Sequence, residues 1–205
     1  MNTILDLILS MLLGGMILMI VMNANDIAVD NHSVLNGDML VQEMLITTAN
    51  IVEGELRNMG FGVPENRSTV LEADTSRIRF LSSTSPTATV VDTITYTLGD
   101  TTELRKTQNE LDRFLKRQVG HGPNAPIGVV TVFRLRYFTP SGEQIATPVP
   151  AGRLNEIHVV EVTMEVQNPY ALARWPGVIP PGERAHLYSS SLWQQTRLAS
   201  QNSRR

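Results

Sequence analysis

The chain has 205 residues, with 17 lysines and arginines against 20 aspartates and glutamates, a formal net charge of −3 and no cysteine. That length holds one anchor and one domain of ordinary size, and near-neutral charge argues against a generic nucleic-acid surface. The lack of cysteine excludes disulfide scaffolds, thiolate metal sites and cysteine nucleophiles, and it suits an extracytoplasmic domain that avoids unwanted disulfides.

Residues 1–24 open the chain as an almost wholly apolar stretch whose one charge is Asp6. Nothing is charged from Leu7 to Met22, and with Ile4 and Leu5 the stretch reaches the ~20 residues a helix needs to span a bilayer. No Lys or Arg occurs before Arg57, whereas Asp6, Asp26, Asp30, Asp38, Glu43, Glu53 and Glu55 all do. A cleavable signal peptide starts with a basic region and ends at a small-residue site. Neither is present, since Asn23-Ala24-Asn25 is a poor cleavage match, so a retained anchor is expected. With no basic flank the positive-inside rule gives no orientation. The acidic flank that follows favours a C-terminus on the outside.

Residues 25–62 continue the helix in amphipathic form. Val34, Val41, Met44, Leu45, Thr48, Ile51, Val52, Leu56 and Met59 recur at spacings of a helical stripe, with Asp38, Gln42, Glu43, Asn50, Glu53 and Glu55 mostly elsewhere. Gly37 and Gly54 each cost a helix ~1 kcal/mol relative to alanine. Gly60-Phe61-Gly62-Val63-Pro64 is the stop. The stripe needs a surface to lie on, and the sheet that follows is the natural one.

From residue 63 to 205 the pattern is β-rich. The period of two predicts strands at Thr69–Glu72, Arg77–Leu81, Thr93–Leu98, Glu103–Thr107, Leu111–Gln118, Gly128–Phe138 and Glu156–Val166. Leu98-Gly99-Asp100, Pro140-Ser141-Gly142 and Pro150-Ala151-Gly152 supply turns, so consecutive strands form an antiparallel meander. Residues 120–126 read as a loop. A long irregular excursion over 167–188 contains Trp175-Pro176-Gly177 and Ile179-Pro180-Pro181-Gly182, and Leu187–Leu198 reads as a last strand. The fold class is therefore α+β, one long N-terminal helix packed on an antiparallel sheet.

This order resembles the type IV pilins and the pseudopilins of type II secretion. Asn2-Thr3-Ile4-Leu5-Asp6-Leu7 is similar to the family's Phe-Thr-Leu-Ile-Glu-Leu, with Thr3 matching and Asp6 in the place of its glutamate. Leu56-Arg57-Asn58-Met59-Gly60-Phe61 resembles the close of the long helix in the larger minor pilins, those similar to the J-type pseudopilin and the W-type minor pilin. Arg77-Ile78-Arg79-Phe80, Asp92-Thr93-Ile94-Thr95-Tyr96 and Glu103-Leu104-Arg105-Lys106 resemble that subgroup's strand sequence in order and type. The residues before Asn2 do not include the family's short basic leader ending in glycine. Gly14-Gly15-Met16 is no substitute, because no acid sits four residues after Met16.

The resemblance implies a non-enzymatic structural subunit without cofactor or metal. Its partners would be other pilin-like subunits of a hetero-oligomeric filament or tip complex, and the inner membrane, with the C-terminal domain periplasmic or extracellular. It also implies that Asp6 pairs with the N-terminal amine of a neighbouring subunit. From the residues alone, Asp6 equally fits the headgroup region, where a carboxylate escapes most of its cost. Asp6, Thr3, Gly14 and Gly15 are the expected assembly residues, the glycines because they let helices approach closely. Tyr170, Trp175, Ile179 and Tyr188 are an apolar load on the long loop and the expected partner contact. The rival is a single-pass module whose periplasmic domain binds a partner and never enters a filament.

Other groups give weaker signals. His32, His121, His158 and His186 have no zinc-ligand spacing. Ser189-Ser190-Ser191 reads as a loop, and no GxSxG, P-loop or dinucleotide fingerprint occurs. Asp92, Asp100 and Asp112 lack calcium-loop spacing. Lys106, Arg113, Lys116 and Arg117 form a basic cluster expected to guard a solvated sheet edge.

Overall fold

A computed structural model of the chain describes residues 2–64, 66–83, 90–104, 109, 111–167 and 191–199. A single helix, α1, runs over Asn2–Arg57. At 1.5 Å per residue its 56 residues extend ~84 Å, far longer than the domain at its C-terminal end needs. It ends where the sequence stops it. Gly60 and Gly62 take φ of 82° and 74°, the left-handed region open to glycine. The turn is then stitched to strand β2 (Arg77–Ser83): the Gly60 amide donates to the Leu81 carbonyl at 2.8 Å, and the Ser83 amide to the Phe61 carbonyl at 2.8 Å.

Among the described residues nine strands follow, in two antiparallel sheets rather than the single sheet expected. The first is a meander in chain order: β1 (Val70–Ala73), β2, β3 (Val91–Leu98), β4 (Arg113–Val119) and β5 (Ala125–Val130). The second has the order β7 (Gln144–Ile145), β6 (Val132–Phe138), β8 (Val159–Gln167) and β9 (Ser191–Ala199). The run expected as one strand, Gly128–Phe138, changes sheets at Thr131. There the inward set moves from even positions, Gly128 and Val130, to odd ones, Phe133, Leu135 and Tyr137. Thr131 holds the corner, with its amide and hydroxyl both donating to the Glu165 carbonyl at 2.8 and 3.1 Å.

Two other expected strands are corrected. Residues Thr101–Leu104 form a 3-10 turn instead of opening a strand at Glu103. The Asp100 carboxylate accepts the Thr102 amide at 2.9 Å, a local cap that competes with extended pairing, and residues 105–108 lie outside the described part. That amide holds the Asp100 carboxyl below its ordinary range. Ala151–Glu156 is likewise a 3-10 turn, so the strand expected from Glu156 begins at Val159.

The core lies between the helix and both sheets. Val41, Leu45, Ala49, Val52 and Leu56, at spacings of four, four, three and four, form one buried face of α1. They join Ile78, Phe80, Ile94, Tyr96, Leu115 and Val130 of the first sheet and Leu135, Tyr137, Val162, Met164 and Leu198 of the second in one cluster. The helix packs on β5, β8 and β9. Its approach to β5 is so close that a Cβ on Gly128 would lie 2.4 Å from the Thr48 hydroxyl oxygen. One residue on, the Val129 amide points at the Met44 sulfur at 3.5 Å.

Gly128→Ala should therefore destabilise the domain by about 1–3 kcal/mol through overpacking. Adding Thr48→Ala should recover part of the loss. Chemical unfolding of the full chain in detergent, followed by circular dichroism, measures both; an unchanged midpoint for Gly128→Ala would mean that the helix does not seat on β5 this closely.

Candidate assembly helix

The N-terminal part of α1 has no contact surface of its own. It is long and apolar enough to cross a membrane, and none of its apolar window is buried in the protein. Met11 is 78% exposed, and Leu7, Leu12, Ile17 and Val21 are all more than half exposed. Gly14 and Gly15 face open space, with nothing within 4 Å of a Cβ built on either. Thr3 and Asp6 are exposed, and Asp6 makes no ion pair among the described residues. Spacings of three, four and four put Thr3, Asp6, Ser10 and Gly14 on one stripe of the helix, the narrow small and polar line along which helices pack closely. Gly15 falls off that line. Ser10 is the member the sequence reading missed, although the spacing carried it. Its hydroxyl donates to the Leu7 carbonyl at 3.0 Å, so it adds no unsatisfied group to the apolar segment.

At its other end the helix is locked to the domain by two carboxylates. Glu53 accepts the Thr196 hydroxyl of β9 at 2.6 Å. Glu55 accepts the Tyr96 phenol of β3 and a forked pair from Arg117 of β4, the Nε at 2.9 and 3.0 Å and an Nη. Two residues apart, these side chains leave the helix on opposite flanks and each reaches a different sheet. The bond from Glu55 raises the Arg117 pKa further. Burial, reinforced by the Glu55 charge, pushes the Tyr96 phenol well above its ordinary range. Burial does the same to Tyr137, whose hydroxyl donates to the Asp74 carbonyl at 2.8 Å.

The remaining candidates do not converge. Arg113, Lys116 and Arg117 lie on β4, an interior strand between β3 and β5, and not on the edge expected for them. Their charges are also divided. Lys116 pairs with Glu103 at 2.7 Å and Arg117 with Glu55, while the Arg113 Nε is buried without a hydrogen bond among the described residues. Lys106 lies outside those residues. Asp92 is in β3, Asp100 caps a turn and Asp112 is buried. Among the described residues no group of three or more metal-ligating side chains stands together. His32 is on the exposed helix, His121 in an exposed turn and His158 just before β8. Tyr170, Trp175, Ile179 and Tyr188, with His186, Ser189 and Ser190, lie outside the described residues. Comparison of the chain with family models, with curated proteins and with solved structures returns no match.

The two buried phenols set an alkaline limit on stability. Above about pH 10 the unfolded chain ionises its tyrosines while the folded chain keeps Tyr96 and Tyr137 neutral. The unfolded state then binds fewer protons, and stability falls by about 1.4 kcal/mol per pH unit for each buried phenol. Phenolate absorbance should show that at least two of the four tyrosines ionise only as the circular dichroism signal collapses. Ionisation of all four while the fold persists would contradict the burial.

Proposed function

We propose that this chain is a structural subunit of a pilin-type filament, a type IV pilus or a type II secretion pseudopilus, that assembles through α1. The helix would store the subunit in the inner membrane, with the domain on the periplasmic or extracellular side, and then pass into a bundle of like helices from pilin-related partners.

One observation carries the reading: exposed apolar side chains continue well past the length a membrane covers. From Ile4 to Met22 the helix rises ~28 Å, close to the ~30 Å of a hydrocarbon core. Beyond it Ile27, Leu35, Met39 and Ile46 are still 56 to 68% exposed. Leu35, Met39 and Ile46, spaced by four and seven, form a second, exposed stripe about 120° around α1 from the buried Val41, Leu45 and Val52. A lipid bilayer does not reach them and the chain's own domain leaves them open. Neighbouring helices would cover them, at about 1.5–3 kcal/mol per side chain buried. The stripe of Thr3, Asp6, Ser10 and Gly14 continues such packing into the membrane half.

Native-host cells should release the protein in the sheared surface fraction together with pilin-like partners, and intact-mass measurement should find a processed or methylated terminus near Asn2. An unprocessed chain confined to membranes would favour the single-pass interaction module instead. A second test uses the outward stripe. Met39→Asp with Ile46→Asp should remove the protein from the sheared fraction while changing domain stability by no more than about 0.5 kcal/mol, because both positions are exposed. Undiminished assembly of that double variant would overturn the reading.

A further inference from the structure

The outer face of the second sheet, turned away from α1, carries a cross-strand row of charge. Register places Arg136 of β6 beside Glu161 of β8, and Glu161 beside Arg197 of β9. The Glu161 side chain is only 1% exposed and is gripped from both sides, by the Arg197 Nε at 2.7 Å and an Arg136 Nη at 3.3 Å. Two guanidiniums thus share one carboxylate, and the row keeps surplus positive charge. Arg134, on the same face, makes no ion pair among the described residues.

The next row along the sheet is apolar: Phe138, Val159 and Ala199 stand side by side. Above it lies a cavity of about 260 Å³, lined by these three residues, Arg197 and Gly142. Arg197 forms its charged wall. The guanidinium sits 5.0 Å from the centroid of the Phe138 ring and its Nε is committed to Glu161. Its side chain is nevertheless 67% exposed. Its two Nη groups donate to nothing among the described residues. This is a pre-oriented guanidinium whose free edge fits the two oxygens of a carboxylate.

We propose that this cavity binds the C-terminal carboxylate of a partner polypeptide with an apolar last side chain. The apolar floor takes the side chain and the free edge of Arg197 takes the carboxylate. The volume suits one side chain, since pockets for whole small ligands run to about 300–1,000 Å³. The place suits a chain end. Ala199 is exposed and small and lines the cavity beside Arg197, so the last residue of a peptide can lie over it. The inference does not depend on filament assembly, because the row and the cavity belong to the face that α1 leaves free.

The test uses the full chain in immobilised lipid nanodiscs and two pools of hexapeptides randomised at their last three positions, one with free-acid and one with amidated ends. The free-acid pool should be retained at least about tenfold over the amidated pool. Arg197→Lys should remove most of that preference by losing the fork. Ala199→Leu should abolish retention by filling the cavity, with the charge row intact and the unfolding midpoint unchanged. Equal retention of the two pools, or retention of neither, would overturn the proposal. Displacement by N-acetyl-leucine as effective as by the peptides would assign the cavity to small carboxylic acids and overturn the peptide assignment.

Discussion

Both sheets have apolar inner faces, and among the described residues one surface closes them: the stripe Val41, Leu45, Ala49, Val52 and Leu56 of α1. The sheets meet through the corner at Thr131, where β5 hands the chain to β6. The helix packs on β5 of the first sheet and on β8 and β9 of the second. Its fit depends on Gly128, which lets the backbone of β5 come up to Thr48, and on Glu53 and Glu55, which tie one helix turn to both sheets at once. Loss of the helix would expose the inner faces of both sheets, so the domain and the C-terminal half of α1 form one folding unit.

That arrangement determines how the rest of α1 behaves. A helix clamped from Val41 to Leu56 projects the residues before Val41 as an arm, and the large apolar side chains of that arm are exposed. Under the proposed function it meets two different surroundings, hydrocarbon along the first stretch and other helices along the outward stripe beyond. The charges agree with this division. The acids near the domain, Glu53 and Glu55, are consumed in holding the helix to the sheets, and the arm itself carries only negative charge. The opposite face of the domain is left to the arginine row and its cavity, so the surfaces read here as assembling and as binding do not compete.

Much of this was legible in the sequence because it depends on periodicity along one segment. The long helix, its apolar and amphipathic halves, its stop at Gly60–Pro64 and strands β1 to β4 of the first meander follow from local pattern and turn chemistry, whereas β5 starts at Ala125, inside the stretch expected as a loop. The features that escaped depend on something else. The division of Gly128–Phe138 into two strands is marked only by a change of parity at Thr131, which continuous alternation conceals. The turn at Thr101–Leu104 is decided by one side-chain cap from Asp100 against a sequence that also suits a strand. The Glu55–Arg117–Tyr96 lock and the Arg136–Glu161–Arg197 row join residues tens of positions apart, brought together by register that no single segment encodes. The basic cluster misled for the same reason, since neighbouring residues on β4 face opposite ways and answer to different partners.

The most direct measurement is a single-cysteine scan of α1, made clean by the absence of native cysteine. Cysteines at positions 11, 18, 27, 35, 39, 46, 45 and 52 would be labelled with a membrane-impermeant maleimide in the native membrane and in assembled material. Positions 11 and 18 should be protected in both, by lipid and then by neighbouring helices, and 45 and 52 in both by the domain. Positions 27, 35, 39 and 46 should react in the membrane and become protected on assembly. Labelling of those four positions that is equal in every fraction would contradict a helix completed by its neighbours.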